Sequence, residues 1–268
     1  MDIRRIVLMS WGVLAAGVCA QQPITEGETN ALAEIRAQRT DGLIAAQPWA
    51  QLLDSNRLGV GWITSHPSDG AVEWTQSEDG DEWRQAWFSE DGLRHANSTV
   101  QRAVIDGFDP AKPIRFRARS RAIESFKPYS VTFGQPAVSQ DCRLPAMSRT
   151  NGAVSFLVFN DIHNRAQLYP LLVGKAGTPV DFAVFNGDVL NDPQTEQEVI
   201  DHLLMPMAWF AAKSIPCFFL RGNHETRGAF ARRLKDYLLL PDGRYYTAMT
   251  FSAAQMVFID TEIGRAHV

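Results

Sequence analysis

Val180-Asp181-Phe182-Ala183-Val184-Phe185-Asn186-Gly187-Asp188-Val189-Leu190-Asn191 is the stretch whose reading decides the fold. Its apolar run, Val180 to Phe185, is too short for a helix and stops at a polar cluster around Gly187-Asp188, the form of a buried strand feeding a loop. Two more stretches share that form. Ala153 to Phe159 precedes Asn160-Asp161-Ile162-His163-Asn164, and Ile215 to Leu220 precedes Arg221-Gly222-Asn223-His224-Glu225. Between the runs lie Arg165 to Val173 and Pro193 to Lys213. The second carries Val199, Ile200, Leu203, Leu204 and Met207 at helical spacing, with Asp192-Pro193 as a starting signal. Strand, helix, strand, helix, strand predicts a mostly parallel sheet, and ligands of such sheets bind outside the carboxyl ends of the strands. All three polar clusters fall at those ends.

The clusters hold carboxylate, imidazole and amide oxygen and no thiolate, a donor set that suits Zn, Fe, Mn or similar ions. Two metal ions about 3.5–4 Å apart clamp the attacking and leaving oxygens of an in-line displacement at phosphorus, and one carboxylate must bridge them. Asp188 is the candidate bridge. Asp161 and His163 are the candidate ligands of the first ion, and the side-chain oxygen of Asn223 reaches the second. Water on such a centre, its pKa lowered toward ~7, is the expected nucleophile. His224, beside a ligand, is the candidate catalytic residue, placed to donate a proton to the leaving alkoxide or to stabilise phosphoryl oxygens. Arg221, Arg227 and Glu225 flank the ligands as supporting groups.

Asp-x-His, Gly-Asp-x-x-Asn and Gly-Asn-His-Glu, in this order, resemble the first three motifs of the calcineurin-like metallophosphoesterases. The spacing agrees, with 27 residues from Asp161 to Asp188 and 35 from Asp188 to Asn223. The resemblance covers about residues 155–260. It implies an αββα sandwich, a dinuclear centre of divalent or trivalent ions whose identity stays open, and hydrolysis of phosphomonoesters or phosphodiesters.

Before this region, Leu58 to Thr64, Ala71 to Thr75, Glu82 to Phe88, Thr99 to Ile105, Ile114 to Ser120 and Tyr129 to Phe133 read as short strands of a β-sandwich. Ser65-His66-Pro67-Ser68-Asp69-Gly70 and Phe108-Asp109-Pro110 read as the turns between them. Gly59-Val60-Gly61-Trp62-Ile63-Thr64, Ala71-Val72-Glu73-Trp74 and Gly107-Phe108-Asp109-Pro110 are similar to the fibronectin III-like domain that precedes the catalytic domain of purple acid phosphatases. Those enzymes lack the histidine of the first motif and end the second with an iron-binding tyrosine. This chain has His163, and Asn191 where the tyrosine would stand, so a colourless relative is expected. Arg115, Arg117, Arg119 and Arg121 alternate with Ile114, Phe116 and Ala118 as on a strand with one wet face. Glu28 to Arg39 looks helical, with no partner evident.

The expected organisation is therefore a signal peptide at 1–20, an N-terminal segment at 21–49, a fibronectin III-like domain at 50–135, a linker at 136–150 and the N-terminal half of a metallophosphoesterase domain at 151–261. The signal rests on Arg4-Arg5, the apolar run from Ile6 to Gly17 and Val18-Cys19-Ala20. It implies a periplasmic or secreted enzyme with no membrane anchor after processing. Cys142 and Cys217 would remain, in a compartment that permits a bridge. A net charge of −4 and a pI near 5.9 argue against a nucleic-acid partner held through phosphate contacts; a small phosphoester is the expected substrate. Nothing after Asp260 supplies the isolated histidine and Gly-His-x-His pair that the family uses. Residues 262–268 match one translated frame of a common sequencing adapter. The expectation is that native sequence ends near Thr261, that His267 is no ligand, and that this piece is inactive by itself. The alternative function is a non-catalytic exported binding protein on a degenerate phosphoesterase scaffold.

Overall fold

Thr25 opens the first helix, α1 (Glu26–Arg36), through a capping box. Its hydroxyl accepts from the Glu28 N–H at 3.2 Å while the Glu28 carboxylate accepts from the Thr25 N–H at 2.9 Å. The helical stretch expected around Glu28 to Arg39 is thus present. The partners that its sequence did not reveal are α2 (Leu168–Ala176) and α4 (Met205–Ala212), which pack against it. Ala31 and Ile35 are its buried residues, and Glu34 accepts from Trp209 Nε1 at 3.1 Å. The computed structural model describes residues 7–9, 24–77, 82–147, 154–177, 179–251 and 254–262. The expected signal peptide, apart from 7–9, and the expected tail, apart from Glu262, lie outside the described residues.

β1 (Val7–Met9), β11 (Phe156–Phe159), β12 (Phe182–Asn186) and β13 (Cys217–Leu220) lie side by side and parallel. The last three are the predicted strands. Their side chains explain why the runs are apolar throughout, since both faces are covered. Leu157, Phe159, Ala183, Phe185, Cys217 and Phe219 belong to the core shared with α1, α2 and α4. Phe182, Val184, Phe218 and Leu220 belong to a second core on the other side. There the hairpin of β14 (Thr247–Phe251) and β15 (Ala254–Phe258) covers them, with Phe258 stacked on Phe218 at 3.8 Å and Phe251 against Phe182 at 5.0 Å. The helical stretch after β12 comprises α3 (Glu196–Val199), a π-helical turn at Ile200–Leu204 and α4. It starts at Thr195 with a second capping box rather than at Asp192-Pro193, because Glu198 sits at the third helical position where its carboxylate can complete the cap.

The strands expected to build a sandwich of their own are hydrogen-bonded into this same sheet. β2 (Ile44–Leu52) pairs parallel with β13 at Gln51 and Cys217, and antiparallel with β3 (Arg57–Thr75) on its other side. β3 then carries β4 (Arg84–Ala86), β7 (Ala96–Asp106) and β8 (Ile114–Lys127), and β8 carries β9 (Ser130–Val138) and β10 (Cys142–Leu144). A separate pair, β5 (Ser89–Glu90) and β6 (Leu93–Arg94), lies apart from these. Among the described residues the main sheet has eleven strands.

The turn expected at Ser65–Gly70 is absent, and the chain runs on as one 19-residue strand. Its partners change instead. Arg57 to Ile63 pair with β7, whereas Gly70 to Thr75 pair with β8. The register shift falls between Ile63 and Ser68, where Pro67 has no N–H to give to a ladder. The His66 carbonyl accepts from the Thr64 and Ser68 hydroxyls, both at 2.8 Å, so the bulge satisfies its backbone from side chains. Polar and proline signals at a bulge and at a reversal look alike in sequence. The other expected turn, at Phe108-Asp109-Pro110, does join β7 to β8.

β2 and β3 approach closely at Gly61, where a Cβ would overlap the indole of the fully buried Trp49. Gly61→Ala is therefore expected to destabilise the fold by about 1–3 kcal/mol, read as a lower urea midpoint with an unchanged slope. Cys142 and Cys217 are both free and buried. Burial pushes the Cys142 thiol up to about 12, and that of Cys217 upward as well. A thiol whose folded pKa is raised adds stability that is complete below its unfolded pKa, ~8.5, and is lost as pH rises toward the folded value. Both thiols are expected to resist alkylation at pH 8 in the folded chain and to react at once in urea. Rapid modification without denaturant would contradict this burial.

Candidate metal centre

The three polar clusters meet at the carboxyl ends of β11, β12 and β13. The backbones of the second and third touch. A Cβ on Gly187 would lie 2.9 Å from Gly222 Cα, and one on Gly222 would lie 2.7 Å from the Asp188 nitrogen. Only glycine permits that approach, and Gly187 also has φ +80°. The first cluster is laced to the second by His163 N–H to Asp188 O at 3.0 Å and Asn164 N–H to Val189 O at 2.9 Å. Asn186 Nδ2 donates to Asn160 Oδ1 at 2.6 Å, and Asn191 N–H to Asn164 Oδ1 at 3.1 Å.

Four residues other than glycine in these loops, Asp161, His163, Asn164 and Asp188, have φ between +48° and +62°. Asp, Asn and His visit this region more readily than other residues, and such conformations gather at functional sites. Their effect is to turn the side chains of His163 and Asp188 toward His224. One ligand-capable atom from each of these three residues lies within 4.8 Å of the other two. The His163 and His224 rings meet edge to face, with centroids 4.7 Å apart. Asp161 stands outside this tight group, half exposed, with its carboxylate 3.6 Å from His163 Nε2. Hydrogen bonding orients the Asn223 amide with its nitrogen donating to Asp188 Oδ2 at 3.1 Å and its oxygen accepting from Arg227 Nη2 at 2.7 Å. The loops therefore bring Asp161, His163, Asp188, Asn223 and His224 into one neighbourhood.

The donor set fits a divalent transition metal. Two imidazoles and a carboxylate converge, a second carboxylate stands beside them, and His163 Nδ1 is buried with no hydrogen-bond partner. His224 Nδ1 is likewise buried without a hydrogen bond, although Asp192 Oδ1 lies 2.9 Å from it. A carboxylate beside Nδ1 favours the tautomer that leaves Nε2 as the working nitrogen. In the sequence Asp192 marks only a helix start. Its place two residues past the Gly-Asp-Val-Leu turn was the only sequence clue to a role here.

Glu225 supports the whole arrangement. It is buried, and its carboxylate accepts from the N–H groups of Asp188 at 2.9 Å, Leu190 at 2.8 Å and Gly222 at 2.7 Å. Burial raises its pKa, while the three N–H groups oppose that shift. Asp188 is held from a further side, its Oδ1 accepting from the His224 N–H at 2.9 Å. Arg221 turns away to pair with the buried Asp260 at 2.7 Å and to lie over Tyr245 at 4.5 Å. Burial of Tyr245 pushes its phenol up to about 12. Arg227 stays with the site through Asn223 and, at 3.8 Å, Asp192.

Residues 154–263 match the family model of the calcineurin-like phosphoesterases. The class that fold and site define is thus a metallophosphoesterase-type domain. Among solved structures, the chain is similar to the purple acid phosphatase PPD1 from yellow lupin (Lupinus luteus) seeds, with TM-score 0.59 and 12% identity over 81% of its own length. At that identity the likeness is one of fold. The chain spans 46% of the lupin enzyme's chain. A myokine structure overlaps 35% of this chain and 89% of its own at 12% identity and TM-score 0.23, too low to bear on the fold. No curated protein matches the sequence.

Glu225→Gln keeps the volume but presents an amide N–H₂ to backbone donors. It is expected to cost about 1–3 kcal/mol of stability and about 10–100-fold in metal affinity. Denaturation with and without Mn²⁺, together with calorimetric titration of Mn²⁺, reads both effects. A variant with native stability and native affinity would remove the clamp from the account.

Proposed function

We propose that this chain supplies the first three ligand loops of an exported, metal-dependent phosphoesterase acting on small phosphomonoesters or phosphodiesters. The observation that carries the reading is the convergence of His163, Asp188 and His224, from three loops far apart in sequence, within 4.8 Å. A purely structural role gives no reason for two imidazoles and a carboxylate to face one another at the mouth of a parallel sheet. The family match over 154–263 supports the same class.

In this proposal Asp161 and His163 would hold one ion, Asp188 would be shared with a second, and Asn223 would complete the second through its side-chain oxygen. The pair supplies Lewis-acid charge for displacement at phosphorus when bound. The chain's own groups do the rest. As a ligand, Asn223 turns its amide oxygen inward and exchanges the bonds to Asp188 and Arg227, leaving Arg227 free to meet a phosphoryl oxygen. His224, with the Asp192 carboxylate 2.9 Å from its Nδ1, presents Nε2 to the leaving-group oxygen as a proton donor. Glu225 keeps the second and third loops at fixed separation while charge moves between them.

Two finer parts of the proposal rest on sequence. Arg4-Arg5, the apolar run after them and Val18-Cys19-Ala20 support export to the periplasm or beyond. The likeness of Gly59 to Thr64, Ala71 to Trp74 and Gly107 to Pro110 to the fibronectin III-like module of purple acid phosphatases supports reading residues 50–135 as its counterpart, joined here to the common sheet. Among the described residues no helix is long and apolar enough to cross a membrane.

Asp188→Asn tests the centre, since the neutral amide keeps the shape and loses the bridging charge. Mn²⁺ binding is expected to fall by more than about 100-fold, with metal-dependent hydrolysis of p-nitrophenyl phosphate and its diester falling alongside wherever the parent protein shows turnover. The circular dichroism spectrum is expected to be unchanged. Native metal affinity in a folded Asp188→Asn protein would remove the bridging role.

A further inference from the structure

Away from the metal-ligand loops, the wet face of β8 carries Arg115, Arg117, Arg119 and Arg121. Across the ladder each has a fixed partner on β3: Thr75 faces Arg115, Glu73 faces Arg117, Ala71 faces Arg119 and Asp69 faces Arg121. Acids thus stand opposite Arg117 and Arg121, and both pairs close at 2.8 Å. Arg115 finds Asp141 at 3.6 Å instead. Arg119 faces only a methyl group. It reaches diagonally to Glu73 at 3.7 Å, beyond hydrogen-bond distance, and that carboxylate is already engaged by Arg117.

The short side chain of Ala71 leaves a hollow of about 80 Å³, lined by Asp69, Gln85, Arg94, Arg119, Ser120 and Arg121 around it. Arg94 and Arg121 are held in place by Asp69, at 3.1 and 2.8 Å, and Arg94 also donates to the Gly70 carbonyl at 3.1 Å. Arg121 is further packed against the Phe133 ring at 4.0 Å. One carboxylate among three guanidinium groups leaves a surplus of two positive charges on the hollow. Ser120 turns its side chain to the buried face of the sheet, where its hydroxyl accepts from Trp62 Nε1 at 2.8 Å, and fixes the strand between Arg119 and Arg121.

We propose that this hollow binds one tetrahedral oxyanion, a phosphate or sulfate group. Its volume suits a group of that size, and its free donors are the Arg119 fork and the Gln85 amide. Guanidinium groups match such oxygens in pairs, and here their positions are set beforehand by Asp69 and Phe133. The site is independent of the metal centre, because none of its residues belongs to the three ligand loops.

The test is calorimetric titration of the full chain with inorganic phosphate at low salt, with EDTA present so that no metal ion can hold the anion. One site per chain is expected. Ala71→Glu places a carboxylate opposite Arg119 and fills the hollow, and Arg119→Gln removes the free fork from a partly exposed position; each is expected to weaken binding at least about tenfold. If Ala71→Glu loses its folded circular dichroism spectrum, Arg119→Gln carries the test. Tripolyphosphate run in parallel separates two sources of the group. Equal affinity points to the free ion, tighter binding points to a phosphoryl group on a larger anion, and both support the site. Absence of binding, or equal binding by wild type and Arg119→Gln, overturns it.

Discussion

The buried carboxylate of Glu225 is the constraint on which the candidate centre depends. Two strand-ending loops that carry Asp188 and Asn223 lie in backbone contact, which buries several N–H groups between them. One carboxylate answers three of them. Such bonds to an ionised acceptor are roughly twice as strong as neutral ones, and without them burial would cost the charged group far more. The same carboxylate is thus stabilised by the loops that it holds together. Gly187 and Gly222 complete the constraint by removing the side chains that would keep the loops apart.

The strands from β3 to β10 join the sheet of the metallophosphoesterase-type domain through β2. By pairing with β13 on one side and β3 on the other, β2 turns two groups of strands into one sheet. Gln51 adds a brace, with its side chain donating to the Leu239 carbonyl at 3.4 Å and accepting from the Leu239 N–H at 3.0 Å. α1 closes the helical side of the same sheet. The N-terminal region therefore shares its packing with the catalytic-type half, so a disturbance at Trp49 or Gly61 is felt across both.

Much of the site was legible in the sequence because its chemistry is local. A strand read from Val180 to Phe185 must end somewhere, and Gly187-Asp188 states both the turn and the candidate ligand within two residues. The same holds for Asp161 with His163 and for Asn223 with His224. Asp192 was not legible as a partner of His224, since 32 residues separate them and nothing near Asp192 indicates an imidazole. The bulge at Ser65–Pro67 resembles a turn in sequence for a related reason. Proline and hydroxyl residues mark an interrupted ladder, and whether the chain then reverses depends on which strands wait on either side.

The sequence by itself determined the strand–helix alternation, the two-sided burial of β11, β12 and β13, and the identity of the groups gathered at their ends. Each of these follows from side-chain periodicity or from chemistry carried within a few residues. Only the tertiary structure decided that β2 would bridge the two halves and that Ala71 would leave Arg119 without a carboxylate opposite. It also decided that Glu225 would face backbone donors from two loops. Those outcomes depend on register and on contacts between segments distant along the chain, and no local pattern of residues encodes which strand lies next to which.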